Sequence, residues 1–406
     1  MRIPLLLVAA VVCSCAGSDP CAGILPTSLP RAVDVPQALP SRALFEDAFV
    51  GDGTGTIIFT LSDYPISGEY TGAIYNPAGQ LIAIPQGRFA DSSHPRALPQ
   101  EEGFQLLEGD AINVANLVTY SQSGSVIRTT SVPPAKTISS SIDPSGGTLI
   151  ISYEVIPGGS QSSNAPAWVL SAQRFDASGN ERAAQRTIAT DPTGQFFFAR
   201  SSGSVTTTGW MFIAWTTFQD TTPPSSNLHG AWVAPDGKVS SSIEFGLTGR
   251  GTLLDVEPLI GGGVAIAATI PPFPYTTHNW IAQIRDGATT PVSAGWLSSF
   301  PSTRLAIVRG GRAYAVLTGA PLWDGAFAEQ CPSNVELSLA APGGKICGTV
   351  SLPALMDTAL SCVKSASSAA VARDGTVVVR TAESGIDSQG LNQSRQLARW
   401  WPKLLR

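Results

Sequence analysis

The stretch Gly146-Gly147-Thr148-Leu149-Ile150-Ile151-Ser152-Tyr153, continued after a loop by Ala167-Trp168-Val169-Leu170 and then Asp176-Ala177-Ser178-Gly179, decides the fold. A glycine turn opens an unbroken apolar run. A variable loop follows, then an aromatic-bearing run, a second glycine turn and a closing run. This is hairpin grammar, because a tight connection between strands needs positive φ and glycine supplies it. The same phrase returns along the chain. Residues 209–245 hold Trp210 to Trp215, Ala231-Trp232-Val233 and the turn Pro235-Asp236-Gly237. Residues 261–297 hold Gly261 to Ala267, Trp280-Ile281-Ala282 and Asp286-Gly287. Residues 310–352 hold Gly310 to Leu317, Val335 to Leu339 and Pro342-Gly343-Gly344.

Working outward, a copy near the start runs from Thr56 to the turn Asn76-Pro77-Ala78-Gly79, and a weaker one over 104–132 turns at Ser123-Gly124. The last copy turns at Asp374-Gly375 and ends in Arg395 to Trp401, leaving no room for a further strand. Trp168, Trp232 and Trp280 take corresponding places in their copies, which reads as packing between neighbouring units. Four strands in each repeat of roughly 40–50 residues mark a propeller blade. The expected fold class is therefore all-β, a β-propeller of seven four-stranded blades. The seventh lacks its outer strand, and the segment around 30–45 is placed to supply it by closing the ring. The alternative is a run of tandem β-sandwiches, which also show short strands at regular spacing.

The composition agrees. Forty Gly and 31 Pro suit short strands and many turns, and an apolar fraction of 43% is enough to build a core. The pattern resembles bacterial β-propellers in general. It has no Gly-His and Trp-Asp repeat of the WD40 type, and its Gly-Gly pairs open the second strand, where in kelch repeats they follow it.

The N-terminus carries an address. Met1-Arg2 gives a positive start, and Ile3 to Val12 an apolar run too short to span a bilayer but suited to a signal-peptide core. It ends in Val12-Cys13-Ser14-Cys15, which resembles a bacterial lipoprotein signal. That resemblance implies cleavage after residue 14, lipidation of Cys15 and a place in the bacterial cell envelope. Cleavage after Ala16 would instead release a secreted or periplasmic soluble protein. The expected organisation is a signal at 1–15, a Pro-rich tether at 16–45 and the repeat domain at 46–406. Beyond Cys15, four cysteines face an oxidising compartment. Cys331 and Cys362 both fall on the loop side of the repeats and are the preferred disulfide. Cys347 falls on a strand, to be buried or to pair with Cys21 if the N-terminal segment passes nearby.

A net charge of −5, from 25 basic and 30 acidic residues without blocks, argues against a nucleic-acid partner. The three histidines, His94, His229 and His278, show no metal-ligand spacing, and no GxSxG or P-loop occurs. No catalytic residue, metal or cofactor is assigned. In a propeller both glycine turns of each unit share one face, and the variable second-to-third strand loops lie on the other, where binding residues gather. The candidate binding face comprises Tyr64, Asp220, Phe273, Tyr275, His278, Asn279, Trp323, Asp324 and Phe327. Its aromatics suit stacking on sugars or anchoring a protein. The expected function is a lipid-anchored binding or scaffold module for a glycan, peptide or protein. The alternatives are a polysaccharide hydrolase or lyase using loop carboxylates, and a purely structural envelope lipoprotein.

Overall fold

The computed structural model describes residues 21–22, 31–34, 56–61, 69–75, 80–84, 86–88, 97–100, 103–110, 114–121, 123–132, 137–156, 167–191, 197–219, 225–248, 253–270, 278–297, 302–307, 313–318, 336–351, 362–371, 377–386, 389 and 392–401. Their regular structure is all β, arranged in seven antiparallel sheets.

Sheets two to six are simple four-strand meanders covering residues 97–132, 137–191, 197–248, 253–297 and 302–351. In the first, Thr56–Leu61 pairs with Glu69–Tyr75, whose other edge is shared by the short strands Leu81–Ala83 and Gln86–Arg88. The seventh joins Cys362–Val371, Val377–Ile386 and Asn392–Trp401 to the distant strand Arg31–Asp34, which pairs with Asn392–Trp401 from Arg31↔Trp400 to Asp34↔Leu397. A disulfide joins Cys21 to Cys347 on the outer strand of sheet six, 326 residues away. The segment read from sequence as a tether thus carries both a strand and a covalent clasp.

The third sheet shows why the sequence folds this way. Leu149, Ile151 and Tyr153 alternate with Ile150 along Thr148–Ile156, yet all four are buried, because the sheet is covered on both sides. Leu149, Ile151 and Tyr153 pack with Val205, Met211, Ile213 and Trp215 of the fourth sheet. On the other side Ile150 and Phe175 meet Leu107, Leu117 and Val132 of the second. Phe212, Ala214 and Trp232 of the fourth likewise face Val264, Ile266 and Trp280 of the fifth. The core is a series of seams, each shared by consecutive sheets. A continuous apolar run is the signature of a strand buried on both faces. The outer strand Glu181–Asp191 is mostly exposed and correspondingly polar.

The first strand of the third sheet carries small residues for a packing reason. Ser139, Ser140 and Ser141 are buried where the third sheet meets the fourth. Ser139 Oγ lies 3.4 Å from Ser201 Oγ, and the Gly203 amide donates to Ser141 Oγ at 3.2 Å. A Cβ on Gly203 would sit 2.6 Å from the Phe212 carbonyl oxygen and 3.0 Å from Ile151 Cδ1. The two sheets converge too closely here for a side chain.

The turns repeat one geometry. In the turn at 176–180 the Gly179 amide donates to the Asp176 carbonyl at 2.9 Å, and the Asp176 amide to the Asn180 carbonyl at 2.8 Å. The turn at 234–238 repeats both bonds, with Gly237 at φ 85° where Gly179 has 80°. These left-handed values are open to glycine at little steric cost. Each such turn packs on the preceding sheet, so a Cβ on Gly237 would approach Arg186 Nη2 to 2.8 Å and one on Gly124 would approach Ile74 Cδ1 to 2.9 Å.

The tryptophan correspondence read from sequence does not hold. Trp168 is the second residue of Ala167–Phe175 and Trp280 the third of His278–Ile284, whereas Trp232 is the eighth of Ser225–Val233. Trp232 therefore sits at the turn end, and the other two at the loop end. The role expected of them does hold, since all three pack in seams between sheets.

Candidate functional site

Tyr64, Asp220, Phe273, Tyr275, Trp323, Asp324 and Phe327 lie outside the described residues, as do Cys15 and Cys331. His278 opens the strand His278–Ile284 and Cys362 opens Cys362–Val371. Asn279 is buried, flanked in register by Thr269 and Leu297. The connections that carry the candidate face join the second and third strands of sheets two to seven, spanning 111–113, 157–166, 220–224, 271–277, 319–335 and 387–391, and join Thr56–Leu61 to Glu69–Tyr75 in the first, spanning 62–68. The strand ends that they join lie at one end of the sheets, because every unit runs in the same phase.

The structure adds an aromatic layer beneath that end, in the seam between sheets three and four. Tyr153 and Trp168 stack with ring centroids 4.9 Å apart and planes 24° from parallel. Across the seam Trp215 stacks on His229 at 5.6 Å and 16°. Trp215 and His229 are direct cross-strand partners, and His229 is in turn opposite Glu244. His229 Nε2 shares a hydrogen bond of 2.9 Å with Thr217 Oγ1, two residues nearer the loops. Tyr153 is buried, and burial pushes its hydroxyl up to about 12, so it stays protonated. Trp168 and His229 remain half-buried.

Burial lowers the His229 pKa, and the nearby Glu244 carboxylate offsets this only in part. A base whose folded pKa is depressed contributes stability above its unfolded value of about 6.5, and that contribution is lost as pH falls through the folded pKa. His229 is therefore neutral at pH 7, able to stack and to exchange one hydrogen bond with Thr217. Fluorescence of the wild type minus that of His229→Gln should titrate with a midpoint below about 6.5 as the imidazolium quenches Trp215. A midpoint above that value would show that Glu244, not burial, governs the ring.

Sequence reasoning noted His229 only as one histidine outside any ligand spacing, and did not single out Tyr153 or Trp215. Their meeting depends on strand register, which no local motif announces. Among the described residues no group of three or more His, Cys, Asp or Glu side chains is placed to hold a metal ion.

Single-phase four-strand sheets, packed in series and joined end to start by Arg31–Asp34, define the class: the chain is a β-propeller. A Synechocystis apocarotenoid oxygenase mutant is similar to it with a TM-score of 0.50 and 11% identity, covering 92% of this chain and 94% of that one. The polysaccharide lyase Uly1 follows at 0.48 and 10%, covering 93% and 98%. The Hadza microbial sialidase Hz136 stands at 0.41 and 11%, covering 77% and 70%. At these identities the likeness concerns the fold alone. No family model and no curated protein matches the chain.

Proposed function

We propose that this protein is an exported, lipid-anchored cell-envelope propeller whose loop end binds a glycan, peptide or protein partner. The observation that carries the reading is the asymmetry of the two ends. Six turn-end connections, at 121–125, 176–180, 206–210, 234–238, 259–263 and 341–345, repeat one tight geometry from which the longer connection at 285–292 departs, while the loop end carries connections from 111–113 to 319–335 in length, next to the Tyr153–Trp168 and Trp215–His229 stacks. Variable loops on a rigid scaffold are where recognition resides. Aromatic rings such as Tyr275 and Trp323 in those loops supply stacking surface at low entropic cost. The resemblance of the segment ending at Cys15 to a lipoprotein signal supports the membrane part of this reading.

The test is a titration of the full chain with neutral and acidic oligosaccharides and a peptide library, followed by tryptophan fluorescence, with released reducing ends assayed in parallel. The expected result is saturable binding without product, weakened roughly tenfold or more by Tyr275→Ala or Trp323→Ala. Turnover of an oligosaccharide, abolished by Asp220→Asn or Asp324→Asn, would replace this reading with a hydrolase or lyase.

A further inference from the structure

We infer that the ring has a redox-sensitive joint. The Cys21–Cys347 bridge locks the closing strand onto sheet seven, and its reduction by a dithiol lets residues 21–34 detach and rejoin while the other sheets stay folded. This joint is independent of what the loop end binds. The first observation is how sheet seven is made. It alone among the described sheets draws strands from two distant parts of the chain, with Arg31–Asp34 added to Cys362–Val371, Val377–Ile386 and Asn392–Trp401. The ten-residue strand Asn392–Trp401 is paired on its inner side along its whole length, from Ile386↔Asn392 to Val377↔Trp401. On its outer side the described partner is the four-residue strand Arg31–Asp34. Of Arg31, Ala32, Val33 and Asp34, only Val33 is a large apolar residue. Burial of one such side chain does little more than offset the conformational entropy of ordering four residues. Pairing alone therefore leaves this strand among the least stable parts of the fold.

The second observation is where the bridge sits. It does not join the two strands that it secures. Cys21 is bonded to Cys347 on the outer strand of sheet six, Ile346–Ser351, whereas Arg31 opens the outer strand of sheet seven. Nine residues, 22–30, separate the two attachments, a reach of at most about 35 Å. With the bridge intact the strand is tethered on both sides, through 22–30 to Cys21 and through 35–55 to Thr56. Reduction leaves only the second tether, and the concentration of the strand at its own edge falls. A tether of 21 residues still holds it on the order of millimolar, so an opened strand returns to the same chain. The two sulfurs differ in access. Cys21 is buried and Cys347 half-buried, so attack falls on Cys347. A thiolate of the dithiol bonds to Cys347 Sγ and displaces Cys21 Sγ, which takes up a proton. The second sulfur of the dithiol then displaces Cys347 Sγ, which takes up another. Both cysteines end as thiols and the reductant as a disulfide.

The experiment follows amide hydrogen exchange of the full chain by mass spectrometry, over seconds to minutes and well below the melting temperature. The chain is measured oxidised, after treatment with dithiothreitol and after reoxidation, with free thiols counted by alkylation. Peptides covering 31–34 and 397–400 should exchange roughly tenfold or more faster once Cys21 and Cys347 are reduced, and recover on reoxidation. Peptides covering 148–156 and 211–219 should stay protected throughout. Cys21→Ser should show the faster exchange at 397–400 without reductant and no further change with it, which separates this bridge from any other cysteine pair. A bridge that resists dithiothreitol in the absence of denaturant would overturn the inference. So would unchanged exchange at 397–400 after complete reduction, which would show that pairing alone holds the strand. Exchange at 148–156 and 211–219 rising together with 397–400 would overturn it as well, since the bridge would then support the whole ring and not a joint.

Discussion

A chain beginning at residue 46 should not accumulate as a soluble monomer, whereas one beginning at residue 16 should. Removing the N-terminal segment deletes Arg31–Asp34 and bares one edge of Asn392–Trp401. An uncovered long strand edge templates pairing with another chain. Arg399, fully buried in that strand, also loses its cross-strand neighbour Ala32. Size-exclusion chromatography and circular dichroism would read the outcome, and a monomer melting like the longer chain would show that the closing strand is dispensable. The disulfide is a smaller, separable contribution. Cys21→Ser keeps the strand and loses only the covalent closure of a 326-residue separation. A bridge of this kind contributes about 2–5 kcal/mol, or about 2–6 °C in Tm for a chain this large. Reducing the wild type should reproduce that fall, and a further fall on reducing the variant would report the Cys331–Cys362 pair.

Trp232→Ala should be the most destabilising single truncation in the seam between sheets four and five. Trp232 is fully buried, its ring is edge-on to Phe212 at 4.7 Å and to Trp210 at 6.0 Å, and Nε1 donates to the Ala288 carbonyl at 2.8 Å. Truncation removes the largest fully buried side chain among the described residues and opens a cavity between two sheets, for about 3–5 kcal/mol and a Tm lower by about 4–6 °C. Trp232→Phe keeps most of the volume and loses the indole donor, which costs about 1–2 kcal/mol. Equal melting of the two variants would mean that the hydrogen bond, and not the volume, holds the seam.

Neighbouring seams should respond differently, because they are built from different residues. Seam four–five is filled by Trp232, Phe212 and Trp280, whereas seam five–six relies on Tyr314, whose hydroxyl donates to the Ala282 carbonyl at 3.2 Å. Each sheet depends mainly on its neighbours, so damage in one seam propagates along the ring only through the next. Closure by Arg31–Asp34 and Cys21 turns this open series into a ring, which is why the N-terminal segment carries the larger predicted effect.

Glycine turns at a repeated spacing, with unbroken apolar runs between them, were enough to read an all-β propeller from sequence. These are local signals: positive φ must be supplied where a strand reverses, and a run buried on both faces must be apolar throughout. That Ser139 and Ser141 are small because Ser201 and Gly203 approach them from the next sheet was not legible, since it depends on how the two sheets meet. The tryptophans were misaligned for a similar reason. Their distance from the turn, 11 residues for Trp168 to Gly179 but five for Trp232 to Gly237, was in the sequence, yet local pattern outweighed it.

By itself the sequence determined the repeat and the hairpin turns, because each rests on neighbouring residues. Tertiary structure alone decided that Cys21 reaches Cys347, that Arg31–Asp34 registers on Asn392–Trp401, and that Trp215 stacks on His229. Those contacts join residues up to several hundred positions apart. They depend on register and ring closure, which only the whole packed chain sets.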